Sequence, residues 1–126
     1  ITPNLSEAEE LTEMKIKTKD DIYKACKILK NYGPKSVVIK GGHFFKSDVS
    51  EDVFYDGNKF ESFSVKRIDT TSTHGTGCTF SAAITAFLAR GEDLKDSVKL
   101  SKEYVTKAIN KAYKIGKGNG PLNHFF

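Results

Sequence analysis

Ser36-Val37-Val38-Ile39-Lys40 is a short, unbroken apolar run between a helix-patterned segment and Gly41-Gly42. An unbroken run differs from the in-out alternation of a half-exposed strand. It reads as a strand covered on both faces, the kind found in parallel sheets. Upstream, Ile22, Ala25, Cys26 and Leu29 recur at helical spacing, Thr18 is placed to cap them, and Gly33-Pro34 stops them. Further upstream, Ser6-Glu7-Ala8-Glu9 has the form of a capping box. It predicts a helix to about Met14, with Leu5, Ala8 and Leu11 toward the core. The opening Ile1-Thr2-Pro3 reads as the last residue of a strand followed by a turn, which suggests more polypeptide upstream.

Downstream, Asp52–Tyr55 and Lys59–Val65 flank Asp56-Gly57-Asn58, a hairpin signal. A helix is predicted from about Gly77 to Gly91, with Phe80, Ala83, Ile84, Phe87 and Leu88 on one face. Asp93 caps a last helix that runs to Gly116, with Leu94, Val98, Ser101, Val105, Ala108 and Ala112 on its apolar face. Gly118-Asn119-Gly120-Pro121 reads as a loop. Helices and strands in this order predict the α/β class. One parallel strand and a hairpin make a small sheet for four helices, so the architecture looks incomplete.

The 126 residues suit one domain or part of one. Apolar residues are 38% and charged residues 29%, which excludes a disordered tail. The net charge of +4 is spread over interleaved Lys and Glu, a solvated-face pattern rather than a nucleic-acid stripe. No run approaches the ~18 apolar residues of a membrane span, and the opening residues lack the pattern of a secretory signal. Cys26 and Cys78 match neither a zinc spacing nor a CxxC motif, which favours a reducing, cytoplasmic setting.

The segment richest in chemistry is Thr73-His74-Gly75-Thr76-Gly77-Cys78-Thr79, followed at once by an apolar helix. Two glycines one residue apart let backbone approach a ligand, and N–H groups at a helix start favour an anion. A tight loop entering a helix explains the same pattern equally well. No Gly-Lys-Ser/Thr follows, so this is not a Walker A loop. Cys78 falls in the first helical turn, where the dipole stabilises a thiolate. His74 is placed to orient a substrate or to act on that thiol, and equally to be a polar loop residue. Cys26, on an apolar helix face, reads as core. Lys40 and His43 follow a strand end, where open α/β sheets bind ligands. Lys40 is equally a solvated lysine. Asn4 and Glu7 have the chemistry to hold Mg2+ directly or through water. On the residues alone, a turn former and a helix-terminus carboxylate explain them better.

Taken in order, Thr2-Pro3-Asn4-Leu5-Ser6-Glu7-Ala8, Val38-Ile39-Lys40-Gly41-Gly42-His43, Ser72–Ala83 and Gly118–Phe125 resemble the hydroxymethylpyrimidine phosphate kinases of thiamine biosynthesis, in the ribokinase-like superfamily. Thr-His-Gly-Thr-Gly-Cys-Thr is the most specific string. Most sugar kinases of the superfamily carry Asp where this chain has Cys78, so the cysteine points to pyrimidine and pyridoxal kinases. Ser72 stands where many members have Asn. The resemblance spans the whole chain but only the C-terminal half of the family's domain. It implies that residues 1–126 are the C-terminal part of a three-layer α/β/α fold whose N-terminal half, with most of the pyrimidine pocket, is absent here.

The resemblance implies roles residue by residue. Gly75, Thr76, Gly77 and Cys78 would form the anion hole, with Cys78 the base on the substrate hydroxyl. Lys40, Asn4, Thr73 and His74 would lie near nucleotide or phosphate, and Glu7 near Mg2+, directly or through water. The implied activity is ATP-dependent phosphorylation of 4-amino-5-hydroxymethyl-2-methylpyrimidine or its monophosphate, by a homodimer that binds no nucleic acid and no membrane. Isolated, the half is expected to be inactive and to self-associate. The alternatives are a pyridoxal kinase, a cysteine hydrolase using Cys78 and His74, and a non-catalytic nucleotide-binding or assembly half-domain.

Overall fold

The computed structural model describes residues 1–42 and 48–126. His43, which the sequence places after a strand end, lies outside the described residues. The chain divides into two compact units, Ile1–Arg67 and Ile68–Phe126. Each is α/β or helical in the order the sequence predicts: helix, helix, strand, hairpin, then helix, helix.

In the first unit, α1 spans Leu5–Thr12 and α2 spans Lys19–Lys30. Thr18 and Asp21 form a reciprocal capping box at α2, and Ile22, Ala25, Cys26 and Leu29 are its buried residues, as their spacing predicts. The box at α1 is displaced from the expected one. Asn4, not Ser6, is the N-cap, with Glu7 as its partner. Glu9 is used elsewhere: its carboxylate accepts from the Ile16 N–H at 2.8 Å and from Lys15 at 3.2 Å, closing the connection to α2. The helix also stops at Thr12 rather than Met14, where Glu13 turns left-handed at φ 54°. Ala8 is fully buried, but Leu11 is 48% exposed, contrary to its predicted core position.

Strands β1 (Val37–Lys40), β2 (Val49–Tyr55) and β3 (Phe60–Lys66) form a sheet in that order, with both pairings antiparallel. The run at Val37–Ile39 is buried throughout, as expected, but its pairing with β2 is antiparallel rather than parallel. Parallel pairing comes from the start of the chain. The Val38 N–H donates to the Ile1 carbonyl at 2.8 Å and the Lys40 N–H to Pro3 at 2.9 Å, and a parallel bridge joins Asn4 to Lys40. Residues 1–4 thus run alongside β1, which agrees with the strand ending seen in their sequence. β2 begins before Asp52 because Asp48 and Val49 already engage Arg67 and Lys66 across the hairpin. The turn is closed by Asp56, whose Oδ1 accepts from the N–H groups of Asn58 and Lys59 at 2.6 and 2.7 Å. Gly41 is required by space, since a Cβ there would overlap the Glu51 carbonyl oxygen. The core is Ala8, Ile16, Ile22, Ala25, Cys26 and Leu29 against Val37, Ile39, Val53 and Tyr55.

In the second unit, α3 spans Thr76–Ala89 and α4 spans Leu94–Asn110, and the two helices pack together. Phe80 and Ile84 are buried, whereas Leu88 is 41% exposed, so the apolar face of α3 is narrower than predicted. Asp93 caps α4 by accepting from the Asp96 N–H at 2.8 Å. The helix ends well before Gly116, and Ala112 lies beyond it. The tail takes one carbonyl of its last turn and the carbonyl of its C-cap: the Asn123 N–H donates to Ala108 at 3.1 Å and the Asn123 Nδ2 to Lys111 at 3.0 Å. Once the tail supplies those donors, helix beyond Asn110 would compete with it.

Acid should weaken the first unit. Hydrogen bonds from Thr18, and then from the Lys17 N–H, hold Asp21 below the usual carboxylate range; the Lys59 and Asn58 N–H groups do so for Asp56, and the Ile16 N–H for Glu9. A lowered folded-state pKa contributes stability above the unfolded value, lost as pH falls through the folded one. Urea denaturation is therefore expected to show stability declining as pH drops below about 4. The combined Asp21→Asn and Glu9→Gln variant should show a shallower decline than the parent chain.

Candidate active site

The loop before α3 keeps a helix N-terminus open. Gly75, the N-cap, is left-handed at φ 83°, a conformation that costs an L-residue about 1–2 kcal/mol. Space is not the reason for glycine, because a Cβ would meet nothing within 4 Å. No side chain caps the helix, and no acidic residue stands in its first turn. Thr76 braces the loop instead, with its N–H and Oγ1 both donating to the Thr73 carbonyl at 3.3 and 2.7 Å. The Thr79 N–H closes the first turn onto the Gly75 carbonyl at 2.9 Å. The N–H groups of Gly77 and Cys78 find no backbone acceptor outside the helix among the described residues. Two donors at the positive end of the helix dipole, with no competing carboxylate, are suited to an anion.

The Cys78 side chain is exposed in that first turn. Thr73 and His74 are exposed beside it, and Gly75, Thr76 and Gly77 are partly buried. The His74 backbone is committed, its N–H donating to the Gly120 carbonyl at 3.1 Å in a parallel bridge with Pro121. By its sequence the tail reads as a loop. The only signal for its contact with this segment is a glycine at 120, which is buried and leaves no room for a Cβ beside Ser72. Cys26 is the opposite of Cys78: it is fully buried, and burial pushes its thiol up to about 12.

In the first unit, Asn4, Glu7 and Lys40 come together at the end of β1. The Asn4 Oδ1 accepts from the Glu7 N–H at 2.9 Å, and the Glu7 Oε2 accepts from the Asn4 N–H at 2.6 Å. Lys40 Nζ donates to the Thr2 carbonyl at 2.6 Å and lies 3.9 Å from Glu7 Oε2. The capping geometry is the helix-terminus role that the residues alone suggest. It leaves the Glu7 Oε1 without a partner among the described residues, on a side chain 57% exposed. A single accessible carboxylate suits Mg2+, which keeps several waters and takes few protein ligands. A shallow cavity of about 630 Å3 borders Glu7, lined also by Pro3, Ser6 and Glu10. Among the described residues no helix is long and apolar enough to cross a membrane.

The family model described as phosphomethylpyrimidine kinase matches residues 1–123. The chain belongs to that family. It is similar to the hydroxymethylpyrimidine/phosphomethylpyrimidine kinase of Haemophilus influenzae, at 46% identity over 99% of this chain and 48% of the relative. Among solved structures, it is similar to an ADP complex of Bacillus subtilis pyridoxal kinase, at 44% identity and a TM-score of 0.92, covering 98% of this chain and 48% of that one. It is likewise similar to Staphylococcus aureus pyridoxal kinase in complex with AMP-PCP and pyridoxal, at 39% identity and a TM-score of 0.92, covering 98% and 47%. The fold is therefore the ribokinase-like α/β fold of these kinases. The chain spans about half the length of the curated kinases it matches.

The two cysteines should differ sharply in reactivity. In native buffer near neutral pH, a thiol reagent is expected to label Cys78 promptly and Cys26 only after denaturant is added. Peptide mapping of the label checks this, and rapid native labelling of Cys26 would contradict its place in the core.

Proposed function

We propose that this chain is the C-terminal half of a single kinase domain that transfers the γ-phosphoryl group of ATP to the hydroxyl of a hydroxymethyl-bearing heteroaromatic substrate. The first choice of substrate is 4-amino-5-hydroxymethyl-2-methylpyrimidine or its monophosphate. One observation carries the reading. In a chain of this family, an exposed thiol stands in the first turn of a helix whose Gly77 and Cys78 N–H groups are uncapped.

The chemistry follows from that geometry. Phosphoryl transfer requires aligned reactants and donors for the charge on the equatorial oxygens. Within the Gly75–Cys78 loop, the Gly77 and Cys78 N–H groups supply the donors without reorganising. The Cys78 thiolate takes the proton of the substrate hydroxyl as its oxygen bonds to the γ-phosphorus. The bond from phosphorus to the β,γ-bridging oxygen breaks, and ADP leaves with that electron pair. Thr73 and His74 border the phosphoryl path. Lys40 and Asn4 serve the nucleotide phosphates, and Glu7 would hold Mg2+ through water. When bound, the cation neutralises phosphate charge.

A second reading, a pyridoxal kinase, is favoured by the solved relatives that carry that name. Both substrates present a hydroxymethyl group on an aromatic ring, so the same transfer serves either. Side-by-side kcat/KM values on the complete protein separate them.

The test is Cys78→Ala in the complete kinase. Loss of a general base should lower kcat by about 10²–10⁴-fold. Circular dichroism should be unchanged, because the side chain is exposed. Undiminished turnover would remove Cys78 as the base. Nucleotide binding with no substrate-dependent turnover in the parent protein would favour a non-catalytic binding half.

A further inference from the structure

We propose that Gly120 and Asn123 are positioning residues: the C-terminal tail fixes the loop that presents the Gly77 and Cys78 N–H groups. The inference rests on reading residues 75–78 as the anion hole and deepens it.

Asn123 is buried at 6% exposure, with its N–H and both side-chain polar atoms engaged. Its N–H donates to the Ala108 carbonyl at 3.1 Å. Its Nδ2 donates to the Lys111 carbonyl and the Tyr113 hydroxyl, each at 3.0 Å, and its Oδ1 accepts from the Phe125 N–H at 2.9 Å. A buried amide satisfied this fully is costly to disturb and holds one conformation. It anchors the tail to the end of α4.

The tail in turn holds the loop. The Gly120 carbonyl accepts from the His74 N–H at 3.1 Å, and Pro121 bridges His74 in parallel. His74 immediately precedes the left-handed Gly75. On the other side, Ser72 is 4% exposed, and its Oγ lies 3.5 Å from the Tyr113 carbonyl. A Cβ on Gly120 would stand 2.6 Å from the Ser72 Oγ and 3.3 Å from its Cβ. Glycine at 120 is therefore a close-approach requirement and not a matter of φ. The contacts form one line from α4 through Asn123, Gly120 and His74 to the first turn of α3. Donors that must meet a transition state are sensitive to shifts well below 1 Å, so fixing them is worth a dedicated device.

The complete kinase tests this with Gly120→Ala and Asn123→Ala. Each should lower kcat about tenfold or more, with the KM for ATP within about twofold. Inhibition by ADP with aluminium fluoride, a mimic of the transferring group, should weaken about tenfold, while inhibition by ADP alone stays within about twofold. Removing the clash should rescue: Ser72→Ala in the Gly120→Ala background should recover most of kcat. Equal weakening of both inhibitors, a parent-like kcat in both single variants, or a Gly120→Ala defect that Ser72→Ala does not relieve would overturn the proposal. A second measurement needs no turnover. In Asn123→Ala, amide hydrogen exchange of the 72–79 segment should accelerate about tenfold, with the 49–66 hairpin unchanged. Unchanged exchange at 72–79 overturns the proposal even if the variant is poorly active. If ADP with aluminium fluoride inhibits the parent enzyme no better than ADP alone, the anion-hole reading fails separately, and the exchange result still decides whether the tail holds the loop.

Discussion

Gly75 takes a left-handed backbone at the one point where a side chain would ordinarily cap α3. The turn that results sends the Thr76 hydroxyl back to the Thr73 carbonyl and leaves the next two N–H groups unclaimed among the described residues. A helix normally closes its N-terminus with Ser, Thr, Asp or Asn. α2 and α4 do so here, through Thr18 and Asp93. α3 does not, and the difference leaves a helix end suited to negative charge. The stability forgone at that end is offset by the backbone contacts that hold the loop, above all His74 to Gly120.

The first unit shows the converse arrangement. Asn4 and Glu7 satisfy each other, and residues 1–4 lie along β1 so that Lys40 reaches the Thr2 carbonyl. The capping box orients the Glu7 carboxylate while using only one of its oxygens. A structural role and a phosphate- or Mg2+-handling role are therefore compatible in the same side chain. The two explanations weighed from sequence are not exclusive.

What was legible in the sequence divides along local and non-local lines. α2 could be read in full, because its cap, its apolar spacing and its glycine stop all lie within one segment. The box at α1 was misplaced because Asn4–Glu7 and Ser6–Glu9 have the same spacing, and pairing of residues 1–4 with a distant strand chooses between them. The burial of Val37–Ile39 could be read from their chemistry, but their pairing direction could not, since an apolar run names no partner. Gly116 was a reasonable stop for α4, yet Asn123 stops it earlier from beyond. In the candidate site, Cys78 and its glycines were visible as a motif. The tail's hold on that motif was not, because nothing in the local sequence pairs Gly120 with Ser72 and His74.

The most direct measurement is a crystal structure of the complete kinase with ADP, Mg2+ and aluminium fluoride. The planar mimic should accept hydrogen bonds from the Gly77 and Cys78 N–H groups at about 2.7–3.1 Å, with the Cys78 Sγ facing the substrate hydroxyl. A mimic bound beyond hydrogen-bonding reach of both N–H groups would contradict the account of α3 as the phosphoryl-binding terminus.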